Sequence, residues 1–111
     1  MENYLTERYL KSPDGTFPHM GVKDGDVAPF VLLCGDPGRV ELIKERLSRA
    51  EAVGQTRGYL VYSGTYNDVP VSVATSGVGS PSAAIALEEL GASGGKVFIR
   101  VGSCASIHPE A

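Results

Sequence analysis

The stretch FVLLCGDPGRVELIKERL, residues 30–47, contains the change of apolar spacing that decides the fold. The apolar run Phe30–Cys34 ends at Gly35 and is typical of a strand covered on both faces. Asp36 is placed to cap a helix, and Pro37 suits the first turn of that helix. Four apolar residues at helical spacing predict its buried stripe: Val40, Leu42, Ile43 and Leu47. The stretch therefore predicts a strand followed directly by a helix.

Two further segments continue this alternation. Residues 61–73 alternate apolar and polar positions around a turn at residues 67–68, which predicts a β-hairpin. The segment SPSAAIALEELG follows and predicts a second helix. We expect Ser80 to cap this helix, Pro81 to occupy its first position and Gly91 to end it.

The rest of the chain adds one strand and a turn-rich beginning. KVFIRVG, residues 96–102, predicts a short strand after the second helix. Residues 1–28 contain many turn formers, with a short helix predicted at residues 6–11. Strands that alternate with helices indicate an α/β fold, and a chain of 111 residues forms at most one domain.

Composition narrows the function classes. A content of 42% hydrophobic and 21% charged residues is ordinary for a globular protein, and a net charge of −3 gives no general attraction to nucleic acid or acidic membranes. No apolar run is long enough to cross a membrane, and the start MENYLTERYLKSPDG is not signal-like. Cys34 and Cys104 lack the pairing of a disulfide framework or a zinc site, so we expect reduced thiols in a cytoplasmic protein.

Two strand-to-helix corners are candidate anion sites, one at Gly35 and one at residues 77–79. Helix N-termini present unpaired N–H groups, and glycine lets a ligand approach the backbone. The alternative is that such corners only turn the chain. A dinucleotide site is disfavoured because the next strand carries Arg100 where an acidic residue is needed, and a P-loop is disfavoured because GGK is followed by Val97.

The arginines favour an anion site. Arg39 lies in the first predicted helical turn, Arg57 precedes a glycine where the hairpin begins, and Arg100 lies inside an apolar strand. A buried guanidinium is costly without an anionic partner, so Arg100 is expected to pair with a carboxylate or an anionic ligand. Ser103 could add a hydroxyl donor near the same sheet edge. Simple surface exposure is the alternative for Arg39 and Arg57.

Four ordered motifs carry a family resemblance: GDPGRV, TRGYLVYSGTY, SGVGSPSAAIALEEL and IRVGSCASIHP. In order and spacing they resemble the nucleoside phosphorylase family that contains uridine phosphorylase and the hexameric purine nucleoside phosphorylases, over residues 17–111. The resemblance implies a three-layer αβα fold with a mixed central sheet. Family members have about twice this length, so residues 1–111 are expected to form a single truncated domain, the N-terminal, phosphate-binding half of that fold.

The resemblance also implies roles for particular residues. Those expected to bind phosphate are Gly35, Arg39, Arg57, Arg100 and Ser103. Those expected near the nucleoside are His19, Ser76, Gly77, Cys104 and Ala105. Arg57 and His19 resemble residues that reach a neighbouring subunit, His19 at the ribose 5′-hydroxyl, which implies a homo-oligomer with shared sites. The alternatives are a surface-loop histidine for His19 and a packing role for Cys104. Ala105 departs from the glycine usual in the family.

The implied activity is phosphate-dependent cleavage of a nucleoside to ribose 1-phosphate and free base, a pentosyl transfer. Inorganic phosphate is the co-substrate, and no cofactor, metal, nucleic acid or membrane partner is expected. Uridine is preferred, with a purine nucleoside as the alternative. No catalytic residue is identified in this half, so the competing hypothesis is a catalytically incomplete fragment that acts as a self-associating, phosphate-binding module.

Overall fold

The computed structural model describes residues 11–110, and the helix predicted at residues 6–11 lies outside this part of the chain apart from its last position. This part of the chain forms five strands and two helices. They are β1 Phe30–Cys34, α1 Pro37–Lys44, β2 Ser48–Thr56, β3 Tyr59–Tyr66, β4 Val69–Thr75, α2 Ser80–Ala92 and β5 Val97–Arg100.

The strands form one mixed sheet in the order β2-β3-β4-β1-β5. β3 runs antiparallel to both of its neighbours, β2 and β4, whereas β1 is parallel to both of its neighbours, β4 and β5. The predicted hairpin is confirmed as β3 and β4. Asn67 and Asp68 connect them with φ values of 49° and 65°, the left-handed conformation that tight hairpin turns require.

The two helices cover opposite faces of the sheet. On one face, Val31 and Leu33 of β1 pack with Ala86 and Leu90 of α2. On the other face, Cys34 of β1 belongs to a second buried cluster, which contains Val40 of α1 together with Leu60 and Val73. The predicted coverage of β1 on both faces and the three-layer αβα fold with a mixed central sheet are therefore confirmed.

The first helix is shorter than predicted. α1 ends at Lys44, and Leu42 is 65% exposed, so the predicted buried stripe is wrong at this position. Leu42 follows the buried Val40 by two residues, about 200° around the helix, and therefore points away from the sheet. Leu47 packs against the second cluster from beyond the helix end. Asp36 does occupy the cap position, but its backbone carbonyl, not its side chain, accepts the N–H groups of the first turn.

Both predicted ends of the second helix are displaced by one or more residues. Gly79 occupies the cap position that was predicted for Ser80, so Pro81 is the second helical residue. The helix passes through Gly91 and ends at Ala92. Glycine is required instead at position 94, where φ is 133° and an added Cβ would collide with the carbonyl of Val27.

β2 was not predicted. Its side chains are mostly exposed, with only Gly54 fully buried, so it lacks the apolar alternation that identifies a strand. It lies at the edge of the sheet and its pairing with β3 is shifted twice by irregularities. No helix among residues 11–110 is long and apolar enough to cross a membrane.

A polar contact joins α1 to β3 on the outer surface. The Tyr62 hydroxyl donates to Glu41 Oε1 at 2.8 Å, and Lys44 Nζ lies 4.8 Å from the Tyr62 ring centroid. The hydrogen bond from Tyr62 lowers the pKa of Glu41, and the same bond raises the pKa of Tyr62. The contact is therefore strongest between the titration ranges of the two groups.

We predict that replacing Gly91 and Gly94 with alanine has opposite effects on the free energy of unfolding. Gly91→Ala should raise the free energy of unfolding by about 0.5–1 kcal/mol, because alanine is the better helix former and nothing lies within 4 Å of its Cβ. Gly94→Ala should lower it by about 1 kcal/mol or more, because of its φ and the Val27 carbonyl. Urea unfolding measures both, and equal effects would contradict the observed end of α2.

We predict that Tyr62→Phe lowers the free energy of unfolding by an amount that depends on pH. Because the folded-state pKa of Glu41 is depressed, its stabilising contribution is present above the ordinary glutamate pKa of about 4.3 and is lost as pH falls through the folded value. The difference in unfolding free energy between wild type and Tyr62→Phe should therefore shrink below about pH 4. Tyr66→Phe, an exposed change in the same strand, is the control and should show no such pH dependence.

Candidate functional site

The carboxyl ends of three parallel strands meet at one edge of the sheet. Cys34 of β1 lies beside Thr75 of β4, and Leu33 lies beside Arg100 of β5. The Ser76 N–H donates to the Cys34 carbonyl at 2.7 Å, so the pairing of β1 with the chain after β4 extends one residue beyond the strand. Open α/β sheets bind ligands at this edge.

Three residues predicted from separate motifs converge there. A Cβ built on Gly35 would lie 3.7 Å from the Gly77 carbonyl oxygen and 3.8 Å from Arg100 Nη2. The two predicted corners and the arginine of the last strand are thus neighbours in space. The absence of a side chain at Gly35 leaves the backbone accessible from the side on which the guanidinium lies.

A cavity of about 200 Å³ opens at this edge, over the N-terminus of α2. Its lining residues are Ser76, Gly77, Gly79, Ser80, Ala83 and Arg100. Glycine is required at position 77, where φ is 69° and an added Cβ would collide with the Ser82 side chain. The cavity combines a guanidinium, serine hydroxyls and the first N–H groups of a helix, which are the groups that bind anions in proteins.

Ser82 holds the loop of this cavity in place. Its hydroxyl donates to the Ser76 carbonyl at 2.7 Å and lies 2.9 Å from the Tyr59 hydroxyl. The Tyr59 hydroxyl also lies 3.0 Å from the Ser82 carbonyl oxygen, to which it can donate. Neither Ser82 nor Tyr59 was predicted as a site residue. The sequence does not show that β3 packs against α2, so it does not show that the polar groups of Tyr59 and Ser82 meet.

Arg100 is exposed, so the argument from a buried guanidinium was wrong. β5 is an edge strand in this chain, and water reaches one side of it. No ion pair joins Arg100 to a carboxylate among residues 11–110. Its guanidinium instead contacts Gly102, where a Cβ would collide with it, and remains near Gly35.

Arg39 also belongs to this edge of the sheet. Its side chain is half-buried, which disfavours the alternative of simple surface exposure. Burial raises the pKa of the Cys34 thiol, while the charges of Arg39 and Arg100 oppose that rise. Both guanidinium groups are therefore close enough to act on one buried sulfur atom at the end of β1. Across residues 11–110, no cluster of His, Cys, Asp and Glu could hold a metal ion.

The structure places Arg57 apart from this cavity. Arg57 and Gly58 form the two-residue turn between β2 and β3, with φ values of 55° and 82°. Arg57 is exposed and lines a separate cavity of about 300 Å³, together with Pro37 at the start of α1. It therefore projects from the tip of a hairpin.

Ser103, Cys104 and Ala105 follow β5 in an exposed segment without regular secondary structure. Their predicted roles in binding phosphate or nucleoside stay predictions.

His19 lies toward the far end of α2. Its Nδ1 is 2.6 Å from Oε2 of Glu89, a residue that follows Ser80 at the start of α2 by nine positions, or about 13 Å along the helix axis. His19 is therefore not brought to the Arg100 cavity of the same chain. Glu89 was not predicted, although a signal was present: it occupies the buried stripe of α2 with Ala86 and Leu90.

Comparison with known proteins gives the same family as the sequence motifs. The sequence profile of the phosphorylase superfamily matches residues 29–111. The uridine phosphorylase of Thermococcus kodakarensis is 42% identical over 109 residues, covering 98% of this chain and 39% of the relative. A DeoD-type purine nucleoside phosphorylase of Photorhabdus laumondii is 45% identical over 95 residues, covering 84% of this chain and 40% of the relative.

Solved structures agree. The purine nucleoside phosphorylase of Toxoplasma gondii superimposes with a TM-score of 0.81 at 34% identity, covering 91% of this chain and 41% of that protein. The uridine phosphorylase of Vibrio fischeri gives a TM-score of 0.78 at 37% identity, covering 83% and 38%. The chain thus spans about two fifths of the length of the relatives that it matches. Because the profile match covers most of its length, the chain belongs to the phosphorylase superfamily.

Proposed function

We propose that the protein is a nucleoside phosphorylase, which uses inorganic phosphate to cleave the N-glycosidic bond of a nucleoside and releases ribose 1-phosphate and free base. The observation that carries this proposal is the approach of Gly35, Gly77 and Arg100 at the carboxyl end of the parallel strands. Arg39 adds a second guanidinium at the same edge. The names of the relatives, uridine phosphorylase and purine nucleoside phosphorylase, support the same reaction class.

The residue types suit the reaction. An oxygen of phosphate forms a bond to the anomeric carbon while the bond from that carbon to the base nitrogen breaks, and the bonding electrons leave with the base. Positive charge develops on the sugar, so a phosphate dianion held close to it stabilises the transition state. Arg39 and Arg100 compensate the charge of the dianion and orient it, and Gly35 gives its oxygens access to the backbone. Ser103 supplies a hydroxyl donor in this proposal.

The remaining site residues are proposed to bind the nucleoside or to complete the site between subunits. Ser76, Gly77, Cys104 and Ala105 lie near sugar and base. Arg57 reaches the phosphate site of a second copy, which its exposed position at the tip of a hairpin supports. His19 contacts the ribose 5′-hydroxyl of a neighbouring site, so the proposed assembly is a homo-oligomer. The proposed location of the protein is the cytoplasm.

A second candidate is a self-associating, phosphate-binding module without turnover. It is favoured by the apolar side chains exposed around β5, where Val97 is 46% and Ile99 53% exposed. Such an edge, with unpaired backbone groups, favours association with another chain. Both candidates share the phosphate site and differ in catalysis.

We predict that uridine is cleaved only in the presence of inorganic phosphate, with ribose 1-phosphate and uracil as products. The measurement is product formation from uridine, inosine and guanosine at equal concentration, with and without phosphate. Cleavage of a purine nucleoside alone would overturn the preference for uridine. Phosphate binding without cleavage of any nucleoside would favour the second candidate.

We predict that Arg100→Ala weakens phosphate binding about tenfold or more, because a charge-assisted hydrogen bond contributes about 1.5–3 kcal/mol. Arg100→Lys should give an intermediate affinity, since lysine keeps the charge but loses the planar fork. Arg46→Ala removes an exposed arginine beyond α1 and should leave the affinity unchanged. Isothermal titration with inorganic phosphate measures all three, and equal affinities for wild type and Arg100→Ala would remove Arg100 from the site.

A further inference from the structure

Glu89 is a buried carboxylate whose hydrogen bonds all go to one loop. Its side chain is 5% exposed. Oε1 accepts the Met20 N–H at 2.9 Å, and the His19 N–H lies 3.2 Å and 3.3 Å from Oε1 and Oε2. The imidazole Nδ1 of His19 completes the set, 2.6 Å from Oε2. Three donor groups on two adjacent residues thus converge on one carboxylate.

The loop that carries His19 is also held by its apolar residues. Phe17, Met20 and Val22 are fully buried. The Phe17 N–H donates to the Val22 carbonyl at 2.8 Å, and the Gly21 N–H donates to the Phe17 carbonyl at 3.0 Å. Because the backbone is held without the His19 ring, the contact of Nδ1 with Glu89 serves to orient the imidazole.

The contact also determines which ring nitrogen carries hydrogen. An ionised carboxylate can only accept hydrogen bonds, so in the neutral imidazole the hydrogen lies on Nδ1 and the lone pair on Nε2. The His19 side chain is 39% exposed, so the ring is accessible to a ligand. A partner of Nε2 must then be a hydrogen-bond donor.

We propose that Glu89 is a positioning residue that fixes His19 as a hydrogen-bond acceptor for the 5′-hydroxyl of the nucleoside. This inference rests on the proposed function. A free 5′-hydroxyl can donate to Nε2, whereas a 5′-ether oxygen can only accept and would face a lone pair. Glu89 therefore selects nucleosides with a free 5′-hydroxyl over 5′-O-alkyl nucleosides, although it touches neither sugar nor phosphate.

The first test is the ¹⁵N NMR spectrum of the His19 ring, recorded above the pH range in which imidazole titrates. The wild-type protein should show hydrogen on Nδ1 and an unprotonated Nε2. In Glu89→Gln the new amide group can donate to Nδ1, so the hydrogen should move to Nε2. Glu88→Gln, the adjacent exposed carboxylate, is the matched control and should leave the ring signals of His19 unchanged.

Hydrogen on Nε2 in the wild-type protein would overturn the proposal, as would a Glu89→Gln ring in the same tautomer as wild type. The wild-type spectrum decides by itself if Glu89→Gln does not fold. His19→Ala offers a second variant, because it retains both backbone N–H groups that donate to Glu89. Protection of the Met20 amide against hydrogen exchange should persist in His19→Ala, and its loss would contradict a loop fixed independently of the ring.

The second test compares turnover of uridine and 5′-O-methyluridine. Wild type should prefer uridine, and Glu89→Gln should reduce that preference about tenfold, the change expected for one hydrogen bond of about 1.4 kcal/mol. Phosphate affinity should not change. An unchanged preference would refute the selection by Glu89.

The two tests separate failure of this inference from failure of the proposed function. The predicted tautomer without turnover of any nucleoside would refute the phosphorylase reaction and leave the orientation of His19 by Glu89 standing. Uridine turnover with the opposite tautomer would refute the role of Glu89 alone.

Discussion

The structure depends on the burial of β1 on both faces and its parallel pairing at both edges. β4 pairs with one edge of β1 and β5 with the other, and the two faces of β1 are covered by α1 and α2. A parallel neighbour must begin at the same end of the sheet, so each connection crosses back over a face before the next strand starts. As a result the three strands end together, and the loop after β4 forms a cavity with Arg100 at the end of β5. The position of the candidate site is thus a consequence of covering one apolar strand.

The sequence predicted the elements whose side-chain pattern reports their surroundings. β1 is a continuous apolar run because both of its faces are buried. The hairpin of β3 and β4 is indicated by alternation around a two-residue turn. β2 gave no such signal, since an exposed and irregular edge strand buries too few side chains. The C-terminal end of α2 was misplaced for a related reason: Gly94 lies against the carbonyl of Val27, a tertiary contact that no local pattern contains.

For the candidate site, the sequence motifs supplied candidate residues but could not establish their neighbours in space. Gly35, Gly77 and Arg100 lie far apart in the chain, and only the parallel register brings them together. Burial of Arg100 was expected from its apolar neighbours in sequence, and it failed because β5 is an edge strand in this chain. The position of Glu89 could have been noticed, because a carboxylate on the buried stripe of a helix requires donors from elsewhere.

The two ends of α2 give the chain two different kinds of polar site. At the N-terminal end, the loop glycines and Arg100 line an open cavity, and the Ser82 hydroxyl holds the loop through the Ser76 carbonyl. At the C-terminal end, Glu89 is already satisfied by the chain itself, through His19 and Met20. An unsatisfied set of donors binds a mobile anion, whereas a satisfied carboxylate fixes the direction of its partner. About 13 Å of helix separates the two, so they are distinct sites on one chain, and the homo-oligomer proposed above is the arrangement that brings His19 of one copy to the cavity of another.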